Sequence, residues 1–294
     1  MGRTLVRTLV EAGHRVTVLT RKVREPAESR GGMSYFEGDP TRQGEWQESL
    51  SEHDAVVNLA GAPIFKRWNA AYRRLILESR LKTTANIVEA LKRVEGRGIS
   101  LLNASAVGYY GFRGDEVLDE SASAGSDFLA GVAGDWEAAA LGASGPMTRV
   151  ALCRFGIVLG SGGGALAEMV SNFRRYPPAV LGSGKQWFSW IHILDLARVF
   201  TFLLDHPAVS GPVNCTAPGP VTNRELTEAV AARLGRRVFP LKVPGLFLRL
   251  VMGEFGQVLL EGQRVRPAKL LDEGFEFKYA GLETALADAM EGGR

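Results

Sequence analysis

Cysteine is scarce: two residues, Cys153 and Cys215, in 294. Both sit in apolar, strand-like runs. A disulfide scaffold is therefore excluded, and buried thiols in a reducing compartment, the cytoplasm by default, are expected. An excess of one charge sign is lacking too. A formal net charge of +3, small and dispersed, argues against nucleic acid or membrane as a partner. No apolar run approaches the roughly 20 residues of a membrane span, and no signal peptide precedes the fold. Repeats and low-complexity tracts are missing. The glycines of Gly160-Ser161-Gly162-Gly163-Gly164 lack the Gly-Lys-Ser/Thr of a phosphate-binding loop and read as a flexible substrate-side loop. His192 and Asp195 are three apart without further ligands, so no metal is expected. His192 is read as bonding backbone, and Asp195 as capping a helix from Leu196 to Leu204. What is present is ordinary: 46% hydrophobic and 23% charged residues. That suffices for one large soluble domain, or one with a small appendage.

The most informative absence is at the start. Met1 to His14 reads as a helix closed by glycine, followed at once by the alternating strand Arg15-Val16-Thr17-Val18-Leu19. These are the helix and second strand of a βαβ nucleotide-binding unit. The first strand and two glycines of a G-x-x-G-x-x-G turn are absent, and Gly2 is read as its last glycine. Such a turn lets backbone approach a pyrophosphate at a helix N-terminus. A truncated start is the expectation.

Strands and helices then alternate. Ser34 to Phe36 is a short strand, Gln43 to Leu50 an amphipathic helix, and Asp54 to Leu59 a buried strand. A long helix runs from about Asn69 to Arg93, then come the strand Ile99 to Ala104, the helix Asp127 to Ala140 and the strand Arg149 to Arg154. Apolar strands separated by helices predict an α/β fold, a doubly wound parallel sheet covered on both faces. It lacks its first strand. After Arg236 the texture changes, so residues 1–236 are read as the nucleotide-binding domain and 237–294 as a small mixed C-terminal module.

Ligands of such sheets bind beyond the carboxyl ends of the strands. Thr20-Arg21, with Lys22 and Arg24, follows the first strand present. A basic residue there accommodates the 2′-phosphate of NADP, where an acidic one would bind the ribose of NAD, so Arg21 predicts NADP(H). Asp39 is placed to accept from an adenine amine, or is an ordinary turn aspartate before Pro40. Leu59-Ala60-Gly61 offers small residues against which a cofactor can lie. Ser105 and the tyrosines Tyr109 and Tyr110 follow the next strand. They are candidates for a hydroxyl that bonds a substrate oxygen and for a proton donor, or else belong to a glycine-rich loop with core aromatics.

Together these strings resemble one family. They are Asp54 to Gly61, Arg67-Trp68, Ser79-Arg80-Leu81, Ser105 to Gly111, Trp136 to Ala139, Val158 to Gly160, Gly184 to Ile193 and Leu260 to Leu270 with Gly274-Phe275. The chain is similar to atypical extended short-chain dehydrogenase/reductases of the "epimerase family protein" branch, over essentially its whole length. The resemblance implies a Rossmann-like NADP(H)-binding domain, with cofactor contacts at Thr20, Arg21, Leu59, Ala60, Arg80 and Val158. It also implies a homodimer, by analogy with the superfamily. One departure matters. The superfamily's Tyr-x-x-x-Lys pair, in which the ammonium assists the phenol, is absent from the helix Asp127 to Ala140. The nearest spacing is Tyr109 with Arg113. Two readings follow: an NADP(H)-dependent oxidoreductase or epimerase-like enzyme for a small carbonyl or sugar-like substrate, using Ser105 and Tyr109; or a non-catalytic NADP(H)-binding sensor or scaffold.

Overall fold

The structure, a computed structural model, describes residues 1–23 and 31–291. Arg24, read above as part of the basic loop, lies outside the described residues. The strands are β1 Val16–Thr20, β2 Met33–Glu37, β3 Ala55–Asn58, β4 Ile99–Ala106, β5 Val117–Leu118, β6 Thr148–Phe155, β7 Ile157–Leu159, β8 Trp187–Phe188, β9 Trp190–His192, β10 Gly211–Cys215, β11 Val221–Thr222 and β12 Arg264–Val265. The helices are α1 Gly2–Glu11, α2 Ala70–Leu91, α3 Phe128–Leu141, α4 Gly164–Arg175, α5 Ile193–Asp205, α6 Asn223–Arg233, α7 Gly245–Met252, α8 Glu254–Leu260, α9 Ala268–Asp272 and α10 Leu282–Glu291.

Four strands form the central parallel sheet in the order β10-β6-β4-β3. Its two faces follow from the two-residue period of a strand. Leu102, Ala151, Cys153, Val213 and Cys215 point to one side, where Leu5 and Leu9 of α1 and Leu196, Val199, Phe200 and Leu203 of α5 cover them. Leu101, Val150 and Leu152 point to the other side, against Ile87, Val88 and Leu91 of α2 and Ala140 of α3. Each such large apolar side chain, fully buried, contributes about 1.5–3 kcal/mol. Helices on both faces make the sheet doubly wound, as the alternating pattern predicts. Both cysteines are buried free thiols on neighbouring strands.

β1 and β2 pair with each other in parallel but form a separate sheet. Val16 of β1 and Val57 of β3 pack on one core cluster, Leu19 and Val56 on another, yet no backbone ladder joins the two strands. In a doubly wound sheet one strand stands between this pair.

Local chemistry sets the element ends. Asn69 Oδ1 accepts from Tyr72 N at 2.8 Å and starts α2. Asp127 Oδ1 accepts from Leu129 N and Ala130 N and starts α3. The predicted helix from Gln43 to Leu50 is instead a 3₁₀ segment, Glu45–Glu52. Its Trp46 is buried and donates Nε1–H to Arg42 O, which holds a tighter turn.

The C-terminal segment docks closely on the rest. β12 pairs with β5, and Ser189 Oγ donates to Gln263 O and accepts from Val265 N. A Cβ on Gly262 would stand 1.9 Å from Trp187 O, so only glycine allows this backbone contact. His192 bonds backbone as expected, but it, and not Asp195, caps the helix. His192 is the N-cap of α5, its Nδ1 accepting from Leu194 N at 3.3 Å. Asp195 lies inside the first turn, too far along to cap. Its fully buried carboxylate accepts from Lys278 N at 2.9 Å, Tyr279 N at 2.7 Å and Arg198. It ties the C-terminal segment to α5.

Candidate functional site

Because β3, β4 and β6 are parallel, their carboxyl ends lie along one edge, and there one face of the sheet turns polar. The side under α2 and α3 carries Asn58, Asn103, Ser105 and Arg154 where apolar residues stand further down the strands. Asn58 Nδ2 donates to Asn103 Oδ1 at 2.7 Å and to Thr84 Oγ1 at 3.1 Å, and its Oδ1 accepts from Ala60 N. That last bond fixes the turn Leu59-Ala60-Gly61 as it leaves the sheet.

Arg80, on α2, reaches over this turn. It donates from Nη1 to Ala62 O at 3.1 Å and Ile76 O at 2.9 Å, and lies 5.0 Å from the Trp136 ring. A Cβ on Gly61 would stand 3.0 Å from the guanidinium carbon, so the glycine lets Arg80 lie close over the turn. Burial pulls the pKa of Arg80 down; the carbonyls and the indole face offset that cost. Position and contacts give Leu59, Ala60, Gly61 and Arg80 one wall of the edge.

Ser105 is buried, and its hydroxyl donates to Glu137 Oε1 at 2.6 Å. Glu137 takes a bidentate contact from Arg154, Nε at 2.8 Å and Nη2 at 2.7 Å. Both charges are buried, and Glu137 and Tyr110 push the Arg154 pKa upward against burial. Arg154 Nη1 donates to Tyr110 Oη at 2.9 Å, and Tyr110 donates to Asn214 Oδ1 at 2.7 Å. Burial raises the Tyr110 pKa to about 12, so its phenol stays neutral. Asn214 closes the chain on Arg266 O of the C-terminal segment. Every member has a partner, as a buried polar network requires.

Tyr109 stands apart. It is half-buried, edge-on to Tyr110 with ring centroids 5.4 Å apart, and the Arg154 guanidinium carbon lies 3.5 Å from its ring centre. Arg113, the nearest cation in sequence, turns away to Ser123 and Glu116. The cation beside Tyr109 is a strand residue 45 positions on, which spacing along the chain does not reveal.

At the other end of the edge, Thr20 ends β1 and Arg21 is exposed just beyond it. Asp39 follows β2. Its Oδ1 accepts from the Thr41 hydroxyl at 2.7 Å and the Thr41 amide at 3.0 Å, which hold its pKa low, with Arg42 and Arg21 adding attraction. Gly2 opens α1, and a Cβ there would meet nothing within 4 Å. Val158, on β7, packs against the core under α5. Thus Leu59, Ala60, Gly61, Arg80, Ser105 and Tyr109 gather at the ends of β3 and β4, while Thr20, Arg21 and Asp39 line the ends of β1 and β2. Sequence reasoning misses Glu137, Arg154 and Asn214. The visible signals are a lone arginine at the end of the buried strand Arg149-Val-Ala-Leu-Cys-Arg154 and, for Glu137, its place in the string Trp136 to Ala139 that carries the family resemblance, with no role attached. Among the described residues no cluster of potential metal ligands occurs.

The profile of the NAD dependent epimerase/dehydratase family matches residues 1–215 of this chain. The chain belongs to that family. A second profile, a domain of unknown function designated DUF1731, matches residues 243–289. An Arabidopsis thaliana protein named as a chloroplastic epimerase family protein SDR39U1 homolog is 40% identical, covering 99% of this chain and 84% of the relative. The Bacillus subtilis epimerase family protein YfhF is 34% identical over 98% of this chain and 93% of its own length. Human epimerase family protein SDR39U1, solved with NADPH, superposes with a TM-score of 0.85 at 33% identity, covering 99% of this chain and 95% of that one. The family's α/β Rossmann-like architecture is the one described above, and no helix among the described residues is long and apolar enough to cross a membrane.

Proposed function

We propose that this epimerase-family chain binds NADP(H) and acts as an oxidoreductase or epimerase on a small carbonyl or sugar-like substrate. The observation that carries the reading is the placement of Arg154 against Tyr109 at the carboxyl edge of the sheet. It sets a fixed cation beside a phenol on a face where the superfamily's Tyr-Lys pair is missing. The residues at that edge suit the cofactor. The turn Leu59-Ala60-Gly61 offers small side chains that let an extended ligand lie close to backbone, Arg80 places a guanidinium over it, and Arg21 offers another for the 2′-phosphate. The human relative's complex with NADPH supports the same choice. Bound there, the cofactor supplies a hydride at its nicotinamide ring.

The chain's own residues do the rest. Tyr109 gives a proton to the substrate oxygen. Glu137 and Arg154, locked bidentately, hold Ser105 and the two tyrosines in register and keep their own charges fixed. Tyr110 stays protonated and orients Arg154. Ser105 shapes the floor of the site.

One observation favours a second reading. The Ser105 hydroxyl is already given to Glu137 in a buried contact, as in a cofactor-binding protein that no longer turns over substrate. Titration with NADPH and NADH, followed by NADPH oxidation against a panel of carbonyls and sugar nucleotides, separates the two. NADPH binding lost in Arg21→Ala, with turnover lowered about 10²–10⁴-fold in Tyr109→Phe, is the expected outcome. Tight NADPH binding without turnover of any substrate establishes the sensor or scaffold. Absence of NADPH binding overturns both.

A further inference from the structure

We propose that the outer face of α7, together with the strap that leads into it, docks on an anionic lipid surface. α7 is apolar on both sides. Leu248 is buried and Met252 half-buried against the body of the protein, while Leu246, Phe247, Leu250 and Val251 are 72%, 56%, 70% and 50% exposed. Arg249 apart, α7 is apolar all round; such a helix belongs in a core or a membrane, and here only one side has a core. The patch continues into the strap, where Leu241 is 70% and Phe239 46% exposed, and to Tyr176 at 65%. The strap lies beside Tyr176 because Phe239 N donates to Pro178 O and Val243 N to Val180 O.

The helix is fixed rather than loosely hung. A Cβ on Gly256 would stand 2.6 Å from Leu248 O, so α7 and α8 touch backbone to backbone. The apolar face is therefore presented outward by the fold itself.

Charge chooses the occupant. From Arg236 to Met252 the sequence has four cations, Arg236, Arg237, Lys242 and Arg249, and no acid. Arg236 bonds the carbonyls of Phe173 and Arg174, which brings Arg174 and Arg175 to the same flank. None of these six makes an ion pair among the described residues. The chain's small overall charge hides this local asymmetry. Cations rimming a wide apolar helix face are the pattern of an interfacial helix, which seats its side chains at the headgroup boundary and its cations on phosphate and carboxylate. A second copy suits the patch poorly, because a two-fold contact is self-facing and would set the same cations against each other.

Flotation of the purified full chain with phosphatidylcholine vesicles, with and without phosphatidylserine, tests the proposal. The chain is expected to float with the anionic vesicles, to bind neutral ones about tenfold less, and to be released by about 1 M salt. Leu246→Glu with Leu250→Glu should lower binding about tenfold or more while NADPH titration is unchanged. Lys242→Gln with Arg249→Gln should erase the preference for anionic vesicles. No flotation with either vesicle overturns the proposal. So does binding that the leucine variant leaves intact, or a dimer that the leucine variant dissociates while vesicles are ignored.

Discussion

At the residue scale the Glu137–Arg154 pair decides most. Two opposite charges, each shielded from water, are mutually dependent: removing one strands the other in a medium that disfavours it. Glu137→Gln is expected to cost about 3–5 kcal/mol in urea unfolding. The double variant Glu137→Leu with Arg154→Met should be less unstable than the two single losses added together. Additive losses would mean the pair does not act as a unit. The same pair explains a limit of the sequence. Ser105, Tyr109 and Arg80 are visible from their positions after a strand or from family resemblance. Arg154 is visible only as an oddity, since its partners Glu137 and Tyr110 arrive from α3 and from the turn after β4, and Tyr110 in turn bonds Asn214 of β10. Spacing along a chain reports neighbours on one element, whereas this cluster is assembled from β4, the turn after it, α3, β6 and β10.

At the element scale, His192 joins α5 to α10. It is fully buried, its Nε2 lies 3.2 Å from Asp288 Oδ2 but poorly aligned for a hydrogen bond, and its ring lies tilted against Tyr279 with centroids 3.9 Å apart. Burial pulls its pKa below the usual imidazole value, against the attraction of Asp288 and Asp195 and with repulsion from Lys278. As pH falls below about 6.5, the unfolded chain therefore takes up the proton first and stability declines. Urea unfolding at about pH 7.5 and 5.5, on either side of that value, should show a wild-type loss that shrinks in His192→Gln; an identical loss in both would assign the acid sensitivity elsewhere. The divided sheet gives a second expectation. β1 and β2 have one ladder between them and no bonds to β3, whereas β4 and β6 are paired on both sides. Amides of 16–20 and 33–37 should exchange with deuterium well before those of 99–106 and 148–155. Equal protection would show that side-chain packing alone binds the two sheets. The strands and long helices are legible in the sequence because their periods differ so clearly. The 3₁₀ segment is not, because i→i+3 bonding around Trp46 leaves the same amphipathic spacing as a short helix.

At the scale of the whole molecule, the order of elements and the family can be read from the sequence, but the docking of the C-terminal segment cannot. It rests on contacts that carry no pattern: a serine hydroxyl between two backbone groups, an aspartate receiving two amides, a glycine pressed on a carbonyl. Gly262→Ala is expected to destabilise by about 1–3 kcal/mol or more, since the added methyl meets backbone that cannot step aside. An unchanged unfolding midpoint would show that the seam yields. The seam has a consequence for traffic through the site. Where two parts of a protein meet through a cushion of side chains, they can rock apart and admit a ligand. Here the chain at Gly262 rides directly on the backbone of Trp187, with no cushion to compress. A ligand reaching the carboxyl edge of the sheet would then have to enter past the loops there, because parting the two segments means parting backbone from backbone.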